Sequence, residues 1–137
     1  MLEYLSDEWV QALDAVLRAA GTLRELEPMA VDQLVSGVPG RGDVRYRLWI
    51  DDEGGHARAI AARDEAGTLR FTTDYATAVA IATGEQNAQI ALARGNLRLG
   101  GDIDTLRRHA EALTALADVA AALRDQTRYG DVVVAPP

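Results

Sequence analysis

The chain has 137 residues, with 14 Lys+Arg against 21 Asp+Glu, a formal net charge of −7 and no cysteine. An acidic surface repels phosphate backbones, so a nucleic-acid partner is disfavoured. The lack of thiols excludes a disulfide framework, a thiolate metal site and a cysteine nucleophile. Every basic residue is arginine, which also removes a Schiff-base or Walker-type lysine.

The elements follow in chain order. Ser6 caps a first helix, with Asp7 and Glu8 in the turn where the helix dipole favours acids. Trp9, Val10, Leu13, Val16, Leu17 and Ala20 then recur at three- and four-residue steps, and Gly21 is a stop. Val31 to Val38 reads as a strand, and the cluster Pro39-Gly40-Arg41-Gly42-Asp43 as a turn. Val44 to Ile50 is a second strand, with Tyr46 and Leu48 on one face and Arg45, Arg47 and Trp49 on the other. Asp51-Asp52-Glu53-Gly54-Gly55 turns the chain into a third strand, His56 to Ala62. Thr68 to Thr73 is a fourth strand, with Leu69 and Phe71 sharing a face. These strands are expected to form an antiparallel meander.

Asp74 caps a helix over Tyr75 to Thr83 that ends at Gly84. Glu85 to Arg94 is a second short helix, ended by Gly95. Asn96 to Leu99 is a short strand with Leu97 and Leu99 inward. Asp102 caps a last helix reaching about Thr127, with room for one break, and Gly130 to Pro137 is a loose tail. The segregated pattern argues an α+β fold, helices laid over a mostly antiparallel sheet, in a single domain over 1–137. The opening Met1-Leu2-Glu3-Tyr4 meets Asp7-Glu8 at once, unlike a signal peptide, and no run approaches a bilayer-spanning length. The expected address is the cytoplasm, with no stable membrane insertion.

The motifs point away from catalysis. The glycine-rich stretch Gly37 to Gly42 lacks the Lys-Ser or Lys-Thr and the helix that a phosphate loop requires. His56 and His109 have no second ligand at metal spacing and read as solvated side chains, so no metal site is expected. The carboxylates Asp51-Asp52-Glu53 and Asp64-Glu65 read as solvated turns. The arginines look scattered, without a basic stripe. Alanine fills the two short helices over 75–94, which either seat close to the sheet or leave unfilled volume beside it.

Four stretches together resemble the sterol carrier protein lipid-transfer family, in particular its stand-alone bacterial members. They are Phe71-Thr72-Thr73-Asp74-Tyr75, Ala78-Val79, Gly84 to Gln89, and Ala93 to Asp102 with its Gly95-Asn96-Leu97-Arg98-Leu99 strand and Gly-Asp turn. Leu92 stands where many members carry Phe or Met. The resemblance implies a five-stranded sheet covered by helices around an apolar tunnel. Its ligand would be a fatty acid, acyl-CoA or sterol-like lipid, bound without catalysis and without a cofactor. The implied tunnel residues are Trp49, Phe71, Val79, Leu92, Leu97, Leu99, Leu106 and Leu113. Burial of a hydrocarbon chain contributes about 0.8 kcal/mol per CH₂, so apolar walls suffice for such a function.

Two other readings remain open at this level. One is a small enzyme or an accessory subunit that holds a hydrophobic substrate for a pathway partner, with Thr72, Thr73, Asp74, Tyr75 and Asn87 as its polar candidates. The other is an interaction protein, a homodimer through the first or last helix.

Overall fold

The computed structural model describes residues 1–130. The expected tail beyond Gly130 lies outside the described residues. The chain runs β1 (Leu2–Glu3), α1 (Asp7–Ala19), a 3₁₀ turn (Gly21–Glu25), β2 (Met29–Val38), β3 (Gly42–Asp51), β4 (Gly54–Ala59) and β5 (Leu69–Asp74). It continues through α2 (Tyr75–Ala82), α3 (Ala88–Ala93), β6 (Leu97–Gly100), α4 (Ile103–Arg108), α5 (Ala110–Ala120), a second 3₁₀ turn (Ala121–Gln126) and β7 (Thr127–Arg128).

Capping chemistry sets several of these boundaries. The Trp9 amide donates to Ser6 Oγ at 3.1 Å, the Thr77 amide to Asp74 Oδ1 at 2.7 Å, and the Thr105 amide to Asp102 Oδ1 at 2.7 Å. Each side chain satisfies one of the orphan donors of a helix start. Asn87 does the same for α3, so that helix begins three residues later than the expected Glu85. The expected last helix breaks at His109, whose ψ of 13° leaves the helical region. Its final turn tightens to 3₁₀ and delivers β7 alongside β1, a parallel pair that the periodicity did not announce.

The α+β class is present, and β2, β3 and β4 form the expected antiparallel meander, but β5 does not continue it. Five strands pair in the order β4-β3-β2-β5-β6, and β5 lies parallel to β2 while the other pairs are antiparallel. The sheet is therefore mixed. After β4 the chain crosses back over β3 and β2 instead of turning into a hairpin. Asp32, buried on the central strand, fixes that crossover. It accepts from Arg47 Nε at 2.6 Å and from the Gly67 amide at 2.8 Å, while Arg47 also donates to the Glu65 carbonyl. Thr68 Oγ1 accepts from the Ala30 amide at 3.1 Å. A Cβ on Gly67 would stand 2.9 Å from the Ala30 carbonyl oxygen, so only glycine passes there. Burial alone would raise the Asp32 pKa, but its hydrogen bonds to Arg47 and the Gly67 amide hold it below the usual carboxylate value.

Strand alternation divides the side chains between two faces. Met29, Val31, Gln33 and Val35 of β2 share the inner face with Val44, Tyr46, Leu48 and Ile50 of β3. Leu69, Phe71 and Thr73 of β5 and Leu97 and Leu99 of β6 complete it. The outer face collects Arg45, Arg47, Arg58, Arg70 and Arg98. The arginines are thus not scattered in space. Period-two placement on four strands puts five of them on one side, a pattern hidden by their separation in sequence.

Candidate ligand-binding site

The inner face is covered unevenly. Over β4, α1 and the 3₁₀ turn after it seat tightly: a Cβ on Gly55 would come within 2.5 Å of Leu23 Cδ1 and 3.2 Å of Leu17 Cβ. Asp14 Oδ1 accepts the outward amide of Ala57 at 2.8 Å, which closes the sheet edge. Trp9 meets Tyr46 edge-on at 5.6 Å, and Leu13 and Leu17 are fully buried. This half is a dry core.

The other half differs. One cross-strand row runs Tyr46–Gln33–Phe71–Leu99 from β3 to β6. Tyr46 is buried, whereas Gln33, Phe71 and Leu99 are each only half-buried. A residue in the middle of the covered face of a central strand is ordinarily inaccessible. Its partial exposure here means that the helices do not cover it completely. The short helices α2 and α3 supply little bulk: α3 buries Ala91 alone, and its Ile90 is 49 % exposed. Ile103, which opens α4, is 51 % exposed. α5 packs on α1 and the 3₁₀ turns more than on the strands.

No family model and no curated protein matches this sequence. Solved structures do match. Sterol carrier protein 2 superposes with a TM-score of 0.72 at 25 % identity, over 87 % of this chain and 98 % of that one. A conserved hypothetical protein of Thermus thermophilus, described as possibly a sterol carrier protein, gives 0.72 at 24 % identity over 90 % and 91 %. A palmitated sterol carrier protein 2 like protein of Aedes aegypti gives 0.54 at 14 % identity over 83 % and 92 %. The chain has the sterol carrier protein 2 fold.

Within this sterol carrier fold the expected tunnel residues separate into groups. Val79 belongs to the main core cluster, and Phe71, Leu99, Leu106 and Leu113 pack half-buried against it. Leu97 is buried where α3 meets β6, and Leu92 is half-buried on α3, both outside that cluster. Trp49 is not brought together with them. It lies on the outer face, stacked on His56 with ring centroids 4.9 Å apart. Its period-two relation to Arg45 and Arg47 already carried that signal. An enclosed tunnel is not seen among the described residues. The clefts seen are surface features, one lined by Met1, Leu2, Asp125 and Gln126, the other beside Trp49, Arg47, Arg58 and Thr68.

Both histidines are buried rather than solvated. His56 is shielded by Trp49, and its Nε2 lies 2.8 Å from Asp51 Oδ1. That contact, with the amide of Glu53, holds the Asp51 carboxyl below its usual pKa. Asp51, Glu53 and His56 place one donor atom each within 4.8 Å of one another, although the Asp51 oxygen is already engaged. His109 is enclosed at the break between α4 and α5, and its Nδ1 has no partner among the described residues.

Sequence reasoning did not single out Gln33 and Tyr46, which lie in this row. The available signal was the polar Gln33 at even spacing between Val31 and Val35, on an otherwise apolar strand face.

Proposed function

We propose that this protein binds an apolar small molecule, a fatty acid, acyl-CoA or sterol-like lipid, between the sheet and the helices over β2, β5 and β6. It carries the ligand and does not transform it. The observation that carries this reading is that Gln33, Phe71 and Leu99 stay only half-buried along the row that starts at the buried Tyr46, on a face that the helices otherwise bury. The fold likeness supports it, and so does the description of the Aedes aegypti protein of this fold as palmitated. A hydrocarbon chain placed on Phe71 and Leu99 would complete their burial, at roughly 0.8 kcal/mol per CH₂ removed from water.

The polar groups that an enzyme would use are committed to structure. Asp74 and Asn87 cap helices, the Tyr75 hydroxyl accepts from the Gly130 amide at 2.7 Å, and Thr73 Oγ1 donates to the Asn96 carbonyl at 2.7 Å. Thr72 points to the outer face. Native mass spectrometry of the purified protein, followed by organic extraction, tests the proposal. Discrete adducts that extract as lipid are expected. A clean unliganded mass, with no uptake of the uncharged probe diphenylhexatriene, would overturn it.

A further inference from the structure

Gln33 is the one polar side chain that the central strand turns toward the helices; its companions there are Met29, Val31 and Val35. It is half-buried, and its amide makes no hydrogen bond among the described residues. Its neighbours across the sheet are Tyr46 on one side and Phe71 on the other. A primary amide both donates and accepts, so it pairs well with a hydroxyl. The Tyr46 ring is buried, and burial pushes its hydroxyl pKa well up, so it stays a neutral phenol.

The charges are as informative as the amide. All five arginines of the sheet strands lie on the outer face, and the strands turn no ionisable side chain except tyrosine toward the helices. An ionised carboxylate brought to Gln33 would leave water without finding a cation, which is costly. A hydroxyl would lose far less and would gain the amide as a partner.

We propose that Gln33 receives the head of a lipid bearing an uncharged hydroxyl, and that the site therefore selects fatty alcohols and sterols over ionised fatty acids. This rests on the carrier reading above and adds the orientation of the ligand, head inward at β2 and tail along Phe71 and Leu99 toward β6.

The test is competition against diphenylhexatriene, an uncharged hydrocarbon probe, by oleyl alcohol and by oleate at pH 9. The two competitors share a tail, so their ratio reports the head. Oleyl alcohol is expected to displace the probe at about tenfold lower concentration, the equivalent of one good hydrogen bond. Gln33→Leu should keep probe binding and pull the two competitors together, and Gln33→Arg should reverse their order. Gln33→Ala serves if circular dichroism shows Gln33→Leu to be misfolded. Equal competition in the wild type, or an unchanged ratio in a folded Gln33 variant, overturns the selection while leaving the carrier intact. Failure of the wild type to take up the probe at all overturns the carrier reading and the selection with it.

Discussion

The two halves of the inner sheet face are built from the same alternation but finished differently. Along β4 the sheet offers small residues, Gly55 and Ala57, and α1 answers with Trp9, Leu13 and Leu17, so the layers meet. Over β5 and β6 the order is inverted. The sheet offers the large side chains Phe71 and Leu99, while α3, which lies against β6, buries Ala91 alone, so the fit is incomplete. Along these two edges the sizes of facing residues, not their hydrophobicity, decide where the layers close and where there is room. Packing at crystal-like density is reached only where large meets small without remainder.

The contrast can be broken from either side. The largest effect is expected in the closed half: Leu17→Ala should cost about 2–5 kcal/mol in urea unfolding, because the site is sealed and cannot collapse. Asp32→Ala should cost about 3 kcal/mol by leaving Arg47 without its partner under the crossover. The pH dependence follows from the lowered pKa of Asp32. Its stabilising contribution is complete above the unfolded carboxylate pKa of about 4 and is lost as pH falls through the lower folded value. Acid unfolding followed by circular dichroism should therefore show a weaker slope below about pH 4 in Asp32→Asn than in the wild type.

In the open half, Leu99→Trp should leave stability within about 1.5 kcal/mol while abolishing lipid uptake, since the added ring fills space that the helices leave. Unchanged uptake by a folded variant would remove Leu99 from the site. The smallest effect belongs to Ile103→Ser, at about 0.5 kcal/mol or less, because that side chain is already half in solvent. A loss several times larger in thermal unfolding would mean that Ile103 is part of the packing.

Much of this contrast was legible in the residues. Ser6, Asp74 and Asp102 announced their helices, and alternation assigned Leu69, Phe71, Leu97 and Leu99 to one face. The alanine-rich composition of α2 and α3 raised the question of spare volume without deciding it. Other features depended on contacts distant in sequence. Nothing local in residues 60–68 says that β5 will leave β4 and join β2, because the decision is made by Asp32 some 35 residues upstream of Gly67. The burial of His56 depends on Trp49 across the ladder, and that of His109 on a helix break with no proline or glycine to mark it.

The crossover also dictates an order of assembly. β2, β3 and β4 join through short turns, whereas the Ala30–Thr68 contact that admits β5 must close 38 residues of chain. Closures of that span carry a larger entropic cost and form after the local hairpins. β5 and β6 are therefore the late arrivals, and by the same energetics the first to part. Native-state hydrogen exchange should find the amides of β6 opening more readily than those between β3 and β4. The fold would then loosen at the proposed site while the rest of the sheet stays shut, which would let the proposed cargo enter and leave without global unfolding.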